Sequence, residues 1–297
     1  GQDCAQYALG KIYLDGQGAE KDIQKAVALF TLAATKENSF AAFALGKLYL
    51  AGDAALPRDP AAALKWLTYA AELGNQFAQY RLGKLLLKGD DGIPKDVIAA
   101  IRWLTAAAKQ ENGYAEYALA LVYLTGEDAP KDSVKALSLL KRSAGWGNQF
   151  AQYRLGKLLL QGEDAPKDVK AAIRWLTAAA EQGNQYAQYA LGKLYLLGKE
   201  VPKDRSSAIK WFQLAADQGN EYAQYFLEHM DDRLGQPPVA AVISLFHHLA
   251  NIFQEQNQPP PSGGVRVVVD RKLLRKIKAK KIAQGHKADD HEPEMQL

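Results

Sequence analysis

Apolar residues return along this chain with the spacing of a single helix face, and they do so in paired segments. Between positions 148 and 183, Ala151, Leu155 and Leu158 fall at i, i+4 and i+7, the stripe of an amphipathic helix. A second stripe follows in Ala172, Trp175, Leu176, Ala179 and Ala180, again in steps of three and four. Polar punctuation separates the two. Asn148 and Asp168 stand where a side-chain oxygen caps an orphan backbone N–H, Gly162 and Gly183 stand where each helix stops, and Pro166 precedes the second start. The pattern predicts a helix–turn–helix hairpin.

The hairpin recurs. Ala-x-(Tyr/Phe)-x-Leu, usually followed by Gly, begins at Ala5, Ala41, Ala78, Ala115, Ala151, Ala187 and Ala223, at intervals of 36 or 37 residues. A fixed period of this size predicts a solenoid in which each unit buries its apolar face only against its neighbours. The two 37-residue intervals come from one extra residue between Gly52 and Pro57 and another between Gly89 and Pro94, which places both insertions in surface turns. The capping Asp recurs at 22, 59, 96, 132, 168 and 204. A mid-helix Gly at 10, 46, 83, 156 and 192 costs roughly 1 kcal/mol of helix propensity each, so a close approach of the partner helix is expected there. Trp66, Trp103, Trp175 and Trp211 share one register and are expected to be buried, each contributing several kcal/mol.

The motif Ala-x-Tyr-x-Leu-Gly-x-Leu-Tyr-x-x-Gly, then Pro-Lys-Asp, then Ala-x-x-Trp-Leu-x-x-Ala-Ala-x-x-Gly-Asn resembles the Sel-like repeats, relatives of the tetratricopeptide repeats. The resemblance covers about residues 1–230, six full units and a final first helix. It implies an all-α solenoid, a right-handed superhelix acting as a scaffold or adaptor for protein or peptide partners. Leu29 and Leu139 replace the Trp, Ala120 replaces the mid-helix Gly, and Glu37 and Glu111 replace the inter-repeat Gly; looser packing is expected in the third and fourth units.

On the first helix of each unit, the positions one before, two after and six after the anchoring Ala share a face separate from the core stripe. Across repeats they read Phe40, Phe43, Lys47; Phe77, Tyr80, Lys84; Phe150, Tyr153, Lys157; and Tyr186, Tyr189, Lys193. In tetratricopeptide superhelices the equivalent face lines the concave groove. Aromatic rings interleaved with ammonium groups suit an extended or acidic peptide, while packing between adjacent repeats would account for the same rings without a ligand. Trp146, between Gly145 and Gly147, holds a position that is Lys36, Leu73, Gln110, Gln182 and Gln218 elsewhere, and reads as an exposed contact or a cap on a neighbouring turn. Residues 74–87 and 147–160 are identical, so two near-equivalent surfaces are expected.

Charge changes the picture only at the end. From Val265 on there are nine Lys/Arg and five Asp/Glu; the remainder carries 28 of each sign. The period fails after Met230. Residues 239–256 read as a capping helix, 257–264 as a linker with three prolines and two glycines, and 265–297 as a basic tail. Within it Arg271, Lys272, Arg275, Lys276, Lys278, Lys280 and Lys281 suit phosphates, an anionic membrane or an acidic groove, with DNA the preferred partner and a merely solvated, partly disordered tail the alternative. Asp270 to Asp290 is also similar to the C-terminal segment of mobilisation relaxases from conjugative elements, which implies a DNA-nicking domain upstream. Gly1-Gln2-Asp3 aligns with an inter-repeat boundary, which fits a chain cut from a longer one.

Candidate chemistry is thin. His229, His247, His248, His286 and His291 form no His-x-His motif, and no phosphate loop, zinc-binding Cys set or nucleophile elbow occurs. No enzyme activity, metal or cofactor is expected in this chain. One cysteine, Cys4, excludes an internal disulfide, and no apolar run approaches the ~20 residues of a membrane span, which fits the cytoplasm.

Overall fold

The computed structural model describes residues 1–89 and 92–229, and these form thirteen helices. The first hairpin is α1 (Gln2–Asp15) and α2 (Ile23–Ala34), and the second is α3 (Ser39–Ala51) and α4 (Pro60–Glu72). Then follow α5 (Gln76–Lys88) with α6 (Val97–Lys109), α7 (Gly113–Thr125) with α8 (Ser133–Gly145), and α9 (Gln149–Gln161) with α10 (Val169–Glu181). The last pair, α11 (Gln185–Leu197) with α12 (Arg205–Asp217), is followed by a lone first helix, α13 (Glu221–His229). Each odd-numbered helix packs on the next even one, and each even one on the first helix of the following unit. The segments 239–256, 257–264 and 265–297 lie outside the described residues, as do Arg271 through Lys281.

The caps act at every junction. Asn38, Asn75, Asn112, Asn148 and Asn184 each accept from the backbone N–H of the anchoring Ala three residues on, at 2.9–3.2 Å. The aspartates cap every second helix in the same way, and their own N–H groups donate to carbonyls near the end of the preceding first helix, as in Asp132 to Tyr123 at 2.9 Å. One residue thus closes two helix ends, and each cap stabilises its helix by about 1 kcal/mol.

The mid-helix glycines meet their partners as expected. A Cβ on Gly83 would lie 2.6 Å from Leu104 Cγ, on Gly46 2.6 Å from Leu67 Cγ, and on Gly192 2.7 Å from Phe212 Cδ1. These contacts correct one expectation. The buried positions are Leu67, Leu104, Leu176 and Phe212, while the preceding Trp66, Trp103, Trp175 and Trp211 are only half-buried. Neighbouring helix positions differ by about 100°. The residue seated on the glycine therefore fills the core, and the indole is turned aside, where Arg102 stacks 4.7 Å from the Trp103 ring centre.

A polar clasp joins successive units. Gln79, Gln152 and Gln188, each next to the anchoring Ala, donate to the carbonyl eight residues back, in Ala71, Ala144 and Ala180, at 3.0–3.1 Å. Each accepts in turn from a glutamine at the end of its own second helix: Gln110, Gln182 and Gln218, at 2.7–2.8 Å. The clasp spans three helices and leaves these buried amides satisfied. On the opposite edge, loops are linked by Lys95–Asp128 at 2.6 Å, Lys131–Asp164 at 2.8 Å and Lys167–Glu200 at 2.8 Å, exposed pairs worth about 0–1 kcal/mol each. The first insertion lies in a turn as expected, with Asp53 and Leu56 bridging across it; Leu56 there and Ile93 near the second are tucked inward.

Candidate partner-binding face

The first helices carry a continuous file of rings. The aromatic two after the anchoring Ala in one repeat meets the aromatic one before it in the next. The pairs are Tyr7–Phe40 (6.3 Å between ring centres), Phe43–Phe77 (6.4 Å), Tyr80–Tyr114 (6.0 Å), Tyr117–Phe150 (6.3 Å), Tyr153–Tyr186 (6.1 Å) and Tyr189–Tyr222 (6.1 Å). All six are tilted contacts of the kind that add about 0.5–1.5 kcal/mol beyond burial. Packing between repeats and exposure to solvent are here one arrangement. The inner rings Phe43, Tyr80, Tyr153 and Tyr189 are half-buried, while the outer rings Phe40, Phe77 and Tyr186 keep 46–52% of their surface exposed; Phe150 is half-buried.

The lysines lie along the same file. Lys47 Nζ stands 5.8 Å from the Phe43 ring centre and Lys84 Nζ 5.7 Å from that of Tyr80. Burial lowers the pKa of Lys84, Lys157 and Lys193, with neighbouring cations second: Arg81 and Lys88 for Lys84, Arg154 for Lys157, Lys157 and Lys199 for Lys193. Lys157 is an exposed residue, so the lowering there is the weakest sign of burial among the three. Desolvation also pushes the Tyr80 hydroxyl up to about 12 and raises Tyr117, Tyr153 and Tyr189.

The expected residues therefore come together, and the file is longer than expected. Tyr7, Tyr114, Tyr117 and Tyr222 complete it; they occupy the same register but belong to repeats in which one of the three positions departs from the aromatic–aromatic–Lys pattern (Cys4 in the first, Leu121 in the fourth, His229 in the last). Arg81 and Arg154, three after the anchoring Ala within the two identical segments, were also legible as a repeated cation beside the lysine. Trp146 is 56% exposed at the C-terminal cap of α8, with its Cβ close to Gly113 at the start of α7. It takes the place that Gln110, Gln182 and Gln218 use for the clasp, and its counterpart in the first helix is Glu116 rather than Gln. Glu116 is wholly buried; Arg142 Nη2 lies 2.6 Å from its Oε1, but neither carboxylate oxygen receives an aligned hydrogen bond from a protein donor.

Among the described residues, no His, Cys, Asp and Glu side chains cluster so as to hold a metal ion, and no helix is long and apolar enough to cross a membrane. A depression of about 630 Å³ between α2 and α4, lined by Ala34, Thr35, Leu64, Trp66, Tyr69 and Glu72, offers mainly apolar surface.

Six consecutive segments, residues 5–38, 39–75, 76–112, 113–145, 149–184 and 185–220, match the family model described as Sel1 repeat. A solved Sel1 repeat protein from Oxalobacter formigenes is similar over 78% of this chain at 33% identity, with a TM-score of 0.71. A protective antigen of uropathogenic Escherichia coli strains, solved with the same type of fold, is similar over 78% of the chain at 30% identity, also with a TM-score of 0.71. The match spans 66% of the first structure and 50% of the second. No curated protein matches the chain in sequence.

Proposed function

Because the chain belongs to the Sel1 repeat family, whose members generally mediate protein–protein interaction, we propose that it is a non-catalytic scaffold that holds a partner polypeptide along the ring file of its first helices. The observation that carries this reading is the file itself: six inter-repeat ring pairs, half-covered and flanked by lysines. Aromatic side chains that keep an exposed flank while their other flank is fixed by packing offer contact area at little entropic cost. Lysine ammonium groups beside them add attraction for carboxylates.

The test is selection of random sixteen-residue peptides on the full chain, followed by titration of the recovered peptides against a Phe40→Ser/Phe77→Ser/Tyr186→Ser variant. These outer rings are about half exposed, so the array keeps its helices, which circular dichroism checks. At least a tenfold loss of affinity is expected. Undiminished binding by every recovered peptide overturns the assignment of this face.

A second reading concerns the tail. Seven basic residues and no acidic one between Arg271 and Lys281 support DNA binding there, and the tail's similarity to mobilisation relaxases supports a place in a conjugation assembly. Mobility-shift titration of the full chain against one ending at Gly264 tests it; equal shifts at low salt overturn it.

A further inference from the structure

Charge along the ring file is not evenly spread. The third repeat brings Arg81, Lys84 and Lys88 together on α5, and the fifth brings Arg154 and Lys157 together on α9, with Lys193 of α11 near enough to Lys157 to be affected by its charge. The fourth repeat between them is neutral at the same positions: Ala118, Leu121 and Thr125 stand where α5 has its three cations. Its rings continue the file, Tyr114 against Tyr80 and Tyr117 against Phe150. Arg154 Nε is buried without a hydrogen bond, and the carboxylate that feels its charge, Asp164, is already engaged by Lys131 Nζ and Ser133 Oγ, both at 2.8 Å. Only cations and burial shift Lys84 and Lys157. The two cationic groups thus flank an uncharged aromatic step two repeats long.

Resting on the proposed function of this face, we propose that its occupant is an extended polypeptide with two acidic clusters separated by about six uncharged residues. The spacing follows from the geometry. Neighbouring first helices touch, as α5 does α7 and α11 does α13, and we take their spacing as about 10 Å, the upper end of helix packing distances. Two repeats therefore span about 20 Å, and an extended chain covers ~3.3 Å per residue. A nucleic acid fits less well, because it carries charge at every nucleotide and would lay phosphates over Leu121. The array's even balance of acid and base hid this segregation from any count of total charge.

Fluorescence anisotropy of labelled peptides on the full chain, at 50 and 200 mM salt, tests the proposal. Three peptides of one composition carry two Glu-Glu-Glu clusters separated by zero, six or twelve residues that include Tyr and Leu. The six-residue spacing is expected to bind at least tenfold more tightly than either other, since both clusters then engage at once. Lys84→Gln and Lys157→Gln, each with an unchanged thermal melt, are expected to erase that preference singly. Equal affinities for the three peptides, with loss on substituting the outer rings, overturn the two-cluster occupant and leave the scaffold reading standing. Indifference to both lysines and rings overturns both. Tighter, lysine-dependent binding of a twenty-nucleotide single strand than of any peptide also overturns the proposal.

Discussion

Replacing Glu116 by Gln restores to the fourth repeat the residue that the third, fifth and sixth use for the clasp. The amide Nε2 would then donate to the Ala108 carbonyl eight residues back, as Gln79 does to Ala71. A buried amide hydrogen bond contributes about 1 kcal/mol. The substitution also removes a carboxylate that is covered from solvent, though only shallowly, and receives no aligned hydrogen bond. What it forfeits is attraction to Arg142, whose side chain is 55% exposed and therefore screened. Breaking a buried pair is costly when a charge is left buried, but here the surviving charge is the exposed one. We expect Glu116→Gln to stabilise the array by about 1–2 kcal/mol at neutral pH. The pH dependence has a definite sign. Burial raises the folded-state pKa of Glu116, with Arg142 opposing and Glu111 reinforcing. The folded state therefore holds this proton to higher pH than the unfolded state, and stability from this group is lost as pH rises through the folded value. The advantage of Gln should therefore be larger above the folded-state value of Glu116 than below the ordinary carboxyl value of 4.5. Denaturant titrations of both proteins across this range measure it, with other carboxylates cancelling in the difference. A variant less stable than the parent at pH 7, or a difference flat in pH, refutes the reasoning.

Three further outcomes are expected from denaturant titration. Leu104→Ala should cost about 2–5 kcal/mol because Leu104 is fully buried, whereas half-buried Trp103→Ala should cost about half of the 3–5 kcal/mol typical of a buried Trp. Gly83→Ala should destabilise despite gaining about 1 kcal/mol of helix propensity, since overpacking against Leu104 costs about 1–3 kcal/mol. Glu111→Gly should stabilise by about 1 kcal/mol: Glu111 holds φ 63° where the equivalent Gly74, Gly147 and Gly183 hold 85–89°, and only glycine enters that region without strain.

The hairpins, their caps and the close helix approach at the mid-helix glycines were all legible in the sequence. Each is fixed by residues within one period, and the repetition exposes the signal. The side of the second helix that faces inward was not. Trp66 and Leu67 are both apolar and adjacent, and helical periodicity alone does not say which one meets the first helix; Gly46, which has room only for Leu67, decides it. The ring file was read in four repeats because lysine was required beside the rings. The structure joins it through Tyr114 and Tyr117, where lysine is missing. The clasp escaped because its partners are about thirty residues apart and its chemistry appears only in the pair.

Read in pairs, the clasp positions vary together from the second repeat to the sixth; the first keeps Gln6 opposite Lys36, and the Gln6 side-chain oxygen is buried without a hydrogen bond. Gln79, Gln152 and Gln188 meet Gln110, Gln182 and Gln218, whereas Ala42 stands at the register of Leu73 and Glu116 at that of Trp146. A lone Gln opposite Leu or Trp would keep its donor bond and lose the bond to its oxygen, and a lone Gln at the second site would find no acceptor. The two sites are therefore coupled, and in the second and fourth repeats both depart together. The fourth repeat gathers several: Glu116 with Trp146, Ala120 for the glycine, Leu139 for the Trp, and Leu121 for the lysine. Ala120 and Leu140 remain fully buried, so the core absorbs the changes. What differs is the outer surface: an exposed indole at one end of the unit and an uncharged step in the cationic file. If the ring file is the binding face, a repeat that keeps its core while changing both faces divides the array into two similar halves, each built around one copy of the identical fourteen-residue segment.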